Sequence, residues 1–548
     1  MKVLLVAPIF RYGQTPPALL SLSDFPSGLA YIGAALREAG HEVRGLNPNN
    51  IPGYDKAYFL LTNMVATALE EFKPDLVGLG GLCTDFTFLK DAIELTRKFA
   101  PGTPIVLGGG IINNDREFIF NLLKPDFGIV GEGEETVMKL ASAMQDGKDY
   151  GGIENLAYWD AGLAIFNPVH FPHAKVDDRP LPDYEPFGVR DMLDNYSMAT
   201  RLLYRYGRTN PRPFPLVTAR GCPFNCSFCI HRGNQLYRAR SIEKVMEEIR
   251  VTYDKYRYNI LIILDELFAV NKQRMRAFCE AVLEGKCRYG WDFDWMFQTH
   301  ASAALDLDTL LLAKEAGCFF FSYGIESASP KVLASMNKKT KVPQIIEAID
   351  LAAKAGIGFG GNLIFGDPAE TQETIYESLD FFAKYGQSTF IFCGYLMPYP
   401  GNELFDDCLK RGIIRDKATY YANIDKGIFN MTSLPDSLWG QWVNFLGLLE
   451  RSWLWVKDCD ATSIEKEDGY ESPVLEHYKA DMYQVETICP YCGASITYRE
   501  MIGQVRLDWP LFLGVGCPKC NRRIKVNLKV VPTARKVERQ REAELVCL

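Results

Sequence analysis

The feature that most restricts the fold is an alternation of short apolar runs with longer amphipathic stretches that occurs twice along the chain. From residue 1 to about 140 it reads VLLVAP, then GLAYIGAALREAG, then DLVGLGGL, PIVLGGG and FGIVGEGEE. Strands this short and this uniformly apolar suit a parallel sheet covered by helices. Glycines gather where those strands end, at Gly80 and Gly81, Gly108 to Gly110, and Gly131 and Gly133. That carboxyl edge is where doubly wound sheets take ligands. A second alternation begins at PFPLVTARGC and continues through ILIILDELF, DFDWMFQTH, CFFFSYGIES, GFGGNLIFGD and STFIFCGYLMP, which predicts six parallel strands of a partial β/α barrel.

The chain is therefore read as α/β, with a doubly wound domain at 1–150, a linker at 151–210 marked by DDRPLPDYEPF, and a barrel at 211–405. A helical region at 406–484, a four-cysteine module at 485–530 and a charged tail at 531–548, expected to be a solvated helix, complete it. In the helical region Trp442, Phe445, Leu449 and Trp453 recur at helical spacing on one face. This predicts a packed helix, with an apolar tunnel for a lipid or terpenoid as the alternative. A net charge of -8 disfavours nucleic acid as a partner. MKVLLVAPIF reads as a buried first strand, and no apolar stretch approaches the roughly 20 residues of a membrane span. A cytoplasmic, reducing location is expected. Of 15 cysteines seven are clustered, and in a reducing compartment clusters point to metal before disulfides.

ARGCPFNCSFC places Cys222, Cys226 and Cys229 in one loop after an apolar strand. Three thiolates can ligate three irons of a cubane and leave the fourth iron open. A zinc knuckle would need a fourth ligand, for which His231 is the candidate. The spacing Cys-x-x-x-Cys-x-aromatic-Cys, with Phe228 as the aromatic, resembles the radical SAM family, and the resemblance extends over roughly residues 213–401. It implies a TIM-like partial (β/α)6 barrel and a [4Fe-4S] cluster that chelates S-adenosylmethionine. Reductive cleavage then yields a 5′-deoxyadenosyl radical, with a flavodoxin or ferredoxin as electron donor. It further implies that Asp265 and Glu266 hold the methionine ammonium, and that Glu326, Ser327 and Asn362 lie where ribose and carboxylate are held. For each of these, helix capping or turn formation is the alternative. FGDPAET and MPYPGNELF, shared with methylthiotransferases and cobalamin-dependent enzymes, read as structural turns.

FPSGLAYIGAALREAGHEV, LGLGGLCTDF, VLGGGIINND and VGEGEET resemble the Rossmann-like cobalamin-binding domain fused to many radical SAM enzymes. The resemblance implies cobalamin over the strand ends, near Thr84, Gly108, Gly109, Gly110, Gly131, Glu132 and Gly133. The Asp-x-His-x-x-Gly motif that supplies a histidine to cobalt is absent, and the usual Gly-Gly-Pro-His turn is replaced by Gly109, Gly110, Ile111 and Ile112. A dinucleotide loop at GEGEET lacks its third glycine and follows a late strand. A vestigial domain that only shapes the active site is the other alternative.

Cys489 and Cys492 in CPYCG, with Cys517 and Cys520 in CPKC, predict a zinc ribbon, or a rubredoxin-like iron site with nearly the same geometry. A fold staple, an electron relay and an auxiliary iron-sulfur cluster are the roles open to it. The combined resemblance implies cobalamin-dependent methylation of an unactivated carbon in a small-molecule or lipid substrate. Cyclisation, epimerisation or carbon coupling is the alternative within enzymes, and a zinc-ribbon interaction protein with a degenerate barrel the alternative outside them. Gln298, His300, Tyr323 and Tyr395 are candidate substrate contacts at the barrel mouth.

Overall fold

The computed structural model describes residues 1–9, 12, 25–49, 57–170, 176–194, 208, 211–230, 236–300, 303, 305–424, 427–452, 455–471, 479–502 and 512–528. His231, Trp453 and the charged tail lie outside the described residues. The chain forms two compact units, one of Met1–Ser197, Phe228–Arg238 and Pro398–Gly427, the other of Met198–Ser227, Ala239–Met397 and Ile428–Leu548.

The first unit is built on strands β1 (Lys2–Val6), β2 (Glu42–Leu46), β3 (Leu76–Gly80), β4 (Ile105–Gly108), β5 (Phe127–Ile129), β6 (Leu156–Asp160) and β7 (Leu163–Phe166), in the order β2-β1-β3-β4-β5-β6-β7. β1 to β5 are parallel. Val3, Leu4, Leu5 and Val6 of β1 are buried, as a strand with parallel neighbours on both sides and a helix layer requires. The stretch after residue 150, read as linker, contributes to this sheet. β6 and β7 form an antiparallel hairpin on β5, because Trp159 stacks on Phe120 at 5.0 Å and Phe166 meets the same ring at 5.6 Å. Those aromatics supply apolar area that a linker would leave in water.

The second unit contains β8 (Pro213–Leu216), β9 (Ala219–Arg220), β10 (Arg238–Ala239, whose first residue belongs to the other unit), β11 (Ile260–Ile263), β12 (Asp294–Thr299), β13 (Cys318–Glu326), β14 (Gly358–Phe365) and β15 (Phe390–Tyr395). Six of these form one parallel sheet in the order β15-β14-β13-β12-β11-β8, the predicted open barrel. Ile260, Ile262, Phe320 and Phe390 fill one face with Met296 and Phe392, whereas Trp295, Phe297 and Phe321 pack on the other. Apolar residues on both faces are what a helix-covered parallel sheet demands.

Three helices follow, Glu403–Lys410, Lys417–Ala422 and Asp436–Ser452, but the predicted helical region ends there. From residue 458 the chain is strand: β16 (Asp458–Glu471), β17 (Lys479–Ile488), β18 (Ser495–Ile502), β19 (Phe512–Gly516) and β20 (Arg523–Asn527) form a sheet ordered β18-β17-β16-β20-β19. Ala461, Val485, Ile496, Tyr498 and Val526 make its core, so charge-rich β16 and β17 are held by one inward face. In the helix Asp436–Ser452 the buried face is Trp439, Leu446 and Leu449, while Phe445 and Leu448 are exposed. Of the expected stripe, Leu449 is buried, Trp442 is half-buried and Phe445 is exposed. Among the described residues no helix is long and apolar enough to cross a membrane.

Candidate functional site

The cysteine loop leaves β9 through Gly221 and is sewn to the segment beyond β13. Ser227 N donates to Met336 O at 3.1 Å, and Asn337 Nδ2 donates to Asn225 O at 2.6 Å. Phe224, between the first two cysteines, stacks on His300 at 3.9 Å, and His300 Nε2 lies 3.1 Å from Thr340 Oγ1. Burial, then the charge of Lys338, pushes the imidazole down to about 3, so His300 is neutral. It braces the loop. Burial also pushes the Cys222 and Cys226 thiols up, with Glu266 adding to the effect on Cys222 and Glu326 to that on Cys226. Lys338 opposes this at both. Its Nζ donates to Glu326 Oε1 at 2.8 Å, and both side chains are under one-tenth exposed. Glu326 holds φ at +61°, a costly conformation for a residue with a side chain. At Gly324 a Cβ would collide with both Lys338 Nζ and Glu326 Oε1.

Cys229 is positioned within the other unit. Asn402 is fully buried and N-caps the helix Glu403–Lys410, its Oδ1 accepting from Phe405 N at 2.9 Å. Its Nδ2 donates to Phe228 O at 2.9 Å, and Asn114 Nδ2 donates to Ile230 O at 3.0 Å. The residues on both sides of Cys229 are thereby held by their carbonyls. Asn402 was expected only to shape a turn. Cys226 is buried and Cys222 and Cys229 are half-buried; their spacing in the sequence is what suits a cubane with one open iron.

The strand-end residues divide. Asp265 is buried and accepts from Thr218 N at 2.6 Å and from Thr218 Oγ1, so its carboxylate ties the end of β11 to that of β8. Burial pushes it up to about 6. Glu266, the next residue, is half-buried and raises the Cys222 thiol. Ser327 sits in a turn, accepting from Ser329 N at 3.1 Å with Ser378 Oγ at 3.2 Å, the capping alternative. Gln298 and Asn362 are exposed, on the faces shared with Met296 and with Gly358 and Gly360 respectively. Gln298 Nε2 donates to Asp265 O at 3.0 Å. Tyr323, expected at the mouth, lies on the opposite face of β13, edge-on to Phe321 and Phe359 at 5.4 and 5.5 Å and 3% exposed. Strand alternation sends its neighbours Ser322 and Gly324 to the interior face of Phe320. Tyr395 Oη donates to Val443 O at 2.6 Å and so supports the helix Asp436–Ser452.

In the first unit the glycine edge is open where a flat ligand would rest. A Cβ at Gly108 or Gly131 would meet nothing within 4 Å. Gly109 has φ +87°, and a Cβ there would lie 2.7 Å from Gly81 O, so the loops after β3 and β4 can touch only as glycines. Gly110 abuts Leu82, Thr84 is half-exposed in the turn Cys83–Asp85, and Gly133 precedes the helix Glu134–Asp146. Ile111 and Ile112 point into the core, leaving the edge uncovered by their bulk. Asn113 Oδ1 accepts from Gly131 N at 2.7 Å, holding that loop. Glu132 is engaged elsewhere, accepting from Arg238 with Arg179 4.0 Å away. The edge fits a corrinoid ring, and Glu132 is a brace beside it.

The four C-terminal cysteines bring their sulfurs within 4.8 Å of one another, with Cys489–Cys520 and Cys492–Cys517 both at 3.8 Å. A tetrahedral ion with metal–sulfur bonds of about 2.3 Å has a sulfur–sulfur edge of about 3.8 Å. The set fits one ion.

Residues 24–141 match the B12 binding domain family, and residues 216–382 match the Radical SAM superfamily. The chain is 27% identical to an uncharacterized methyltransferase of Pyrococcus horikoshii over 76% of its length and 84% of that protein. It is 26% identical to the anaerobic magnesium-protoporphyrin IX monomethyl ester cyclase of Cereibacter sphaeroides, over 69% of this chain and 59% of that one. The fold is similar to that of the radical S-adenosylmethionine methyltransferase TsrM from Kitasatospora setae, solved with cobalamin and a [4Fe-4S] cluster, with a TM-score of 0.57, 19% identity and 75% of each chain covered. The chain is thus a B12 binding domain fused to a radical SAM domain, the class B radical SAM arrangement, followed by a four-cysteine cluster.

Proposed function

We propose that this enzyme methylates an unactivated carbon of a small molecule or lipid. The observation that carries the reading is the open glycine floor at Gly108 and Gly131 in a chain that also keeps an anchored three-cysteine loop. Bound cluster, S-adenosylmethionine and cobalamin would supply hydrogen abstraction and methyl delivery, with electrons from a flavodoxin or ferredoxin. The chain's own residues bind and orient. Cys222, Cys226 and Cys229 hold the cluster, with Phe228 fixed between the last two. Glu266 and Glu326 offer carboxylates to an ammonium, and Asn362 and Gln298 offer amides from the interior face. Asp265 and His300 position the strand ends and loop that carry these groups. Gly108, Gly109, Gly110, Gly131 and Gly133, with Thr84 beside them, leave room for the corrinoid.

Similarity to a cyclase as well as to a methyltransferase supports a second outcome, ring closure without a net methyl. One experiment separates the two. The full chain is reconstituted anaerobically with iron, sulfide and cobalamin, reduced, and given S-adenosylmethionine carrying a deuterated methyl group together with a small-molecule and lipid extract. Methylation predicts corrinoid retained through gel filtration, both S-adenosylhomocysteine and 5′-deoxyadenosine, and a product carrying the label. Deoxyadenosine with an unlabelled product would refute it in favour of ring closure, and failure to retain corrinoid would refute both.

A further inference from the structure

The four-cysteine module rests on the amino-terminal ends of the barrel strands. Tyr491 Oη, inside the first knuckle, donates to Gln387 O at 2.5 Å. Asn521, just after the second, donates through Nδ2 to Gly356 O at 3.1 Å, and Arg523 N donates to Ser388 O at 3.0 Å. Gly356, Gln387 and Ser388 all precede the first residues of β14 and β15. A Cβ on Gly358 would lie 2.9 Å from Asn521 O, so β14 begins with glycine where the knuckle presses on it. Cys222 and Cys226 follow β8 and β9, at the opposite ends of the strands. β14 has 8 residues, and at about 3.3 Å each the two metal sites stand on the order of 26 Å apart.

Arg523 is the part of the module that enters the barrel. It is 2% exposed, its guanidinium lies 4.8 Å from the Phe392 ring and 5.8 Å from that of Phe390, and Nη1 donates to Ile391 O at 3.4 Å. Phe390 and Phe392 belong to the apolar interior with Ile260, Ile262 and Phe320. A six-stranded barrel is open, and its base needs a cover. A cation in that place bears a desolvation cost, which two aromatic faces and a strand carbonyl offset only if the guanidinium is held in register with them. What holds it is the knuckle just before it, where Asn521 N donates to Cys517 O at 2.7 Å and Cys517 N to Arg522 O at 2.9 Å.

We infer that the four cysteines hold a single redox-silent zinc ion, and that this ion locks Asn521 and Arg523 as a plug in the base of the barrel. The 3.8 Å sulfur–sulfur edges fit one tetrahedral ion, zinc or iron alike, and distance from the cysteine loop favours the redox-silent one. Electron transfer falls off exponentially with distance, so an ion at the far end of the strands is badly placed to feed the cluster. A staple needs no redox change.

Two measurements test the metal and the plug separately. The full chain with Cys222, Cys226 and Cys229 all changed to Ala, isolated anaerobically, is expected to carry one zinc per chain and no stoichiometric iron. One iron per chain with a ferric-thiolate absorption, or several irons with sulfide, would overturn the assignment. Arg523→Met in the otherwise native chain keeps all four cysteines and is expected to retain its zinc. Its amide hydrogen exchange should quicken at least 10-fold over residues 356–365 and 387–395 and stay unchanged in β1 and β3. Unchanged exchange at the base of β14 and β15 would overturn the plug. Cys517→Ser should lose zinc and reproduce the same pattern, and if that variant fails to fold Arg523→Met decides alone.

Discussion

Asn402 makes two bonds that can be broken one at a time. Its Oδ1 caps the helix Glu403–Lys410 and its Nδ2 holds the carbonyl of Phe228, the residue before Cys229. Asn402→Ala removes both. Loss of the cap costs about 1 kcal/mol, and a buried carbonyl left without its donor costs about 1–3 kcal/mol more. Asn402→Asp keeps an oxygen for Phe405 N but turns a second oxygen toward Phe228 O, so it retains the cap and replaces the tether with repulsion. At about 1.4 kcal/mol per factor of ten, a local loss of ~2 kcal/mol would lower the population of correctly held loop by ~30-fold. The assay is iron and sulfide per chain after anaerobic reconstitution, together with the initial rate of 5′-deoxyadenosine formation. Both variants should lose most of their cluster and at least 10-fold in rate, while metal at Cys489, Cys492, Cys517 and Cys520 is unaffected. If Asn402→Asp loads a full cluster and cleaves at the native rate while Asn402→Ala does not, only the cap matters and the tether argument fails.

Lys338→Met strands Glu326 without its buried partner and should cost about 3–5 kcal/mol in a denaturant melt; adding Glu326→Gln should recover most of it, and no recovery would refute the pairing as the cause. Gly108→Leu fills open space on the floor of the first unit. It should reduce corrinoid retention at least 10-fold on gel filtration while leaving cluster content and thermal unfolding unchanged. Burial pushes Glu370 up to about 7 from 4.5, so between those values the native state binds more protons than the unfolded state and stability falls as pH rises, by about 3 kcal/mol at about 1.36 kcal/mol per unit. Above pH 7 the loss is complete. Glu370→Gln keeps an acceptor for Gly366 N and should flatten urea midpoints between pH 6 and 8, leaving a residual slope below about 6 from Asp265. Tyr323→Phe should leave 5′-deoxyadenosine formation within a factor of two, since the phenol faces away from the barrel interior; a large loss would contradict its placement on the outer face of β13.

What could be read from the sequence followed from which constraints are local. Strands buried on both faces announce themselves as apolar runs, and thiolates that share a cluster must recur at short spacing, so the six barrel strands and both cysteine sets were visible. The same uniform apolarity hides the parity of a strand: in CFFFSYGIE nothing distinguishes the face of Phe320 from that of Phe321, and Tyr323 was assigned to the wrong one. Asp265 and Glu266 show the same ambiguity one residue apart, the first tied to Thr218 and the second beside Cys222. β16 and β17 were missed for the opposite reason, because EKEDGYE carries too much charge to read as strand, and the apolar positions that anchor the pair, Ala461 and Ile464 with Val485, are few and separated. Most hidden were the residues that hold the cysteine loop. Asn402 lies 174 residues from Phe228 and Asn337 lies 112 from Asn225. No periodicity spans such intervals. A buried asparagine that already caps a helix and has a second amide group to satisfy is nevertheless a recognisable kind of residue, because burial forces each of its polar atoms to find a partner. In this chain that requirement is met at the backbone of Phe228, next to the third cysteine of the loop, and so a turn motif that looked structural also sets where Cys229 stands.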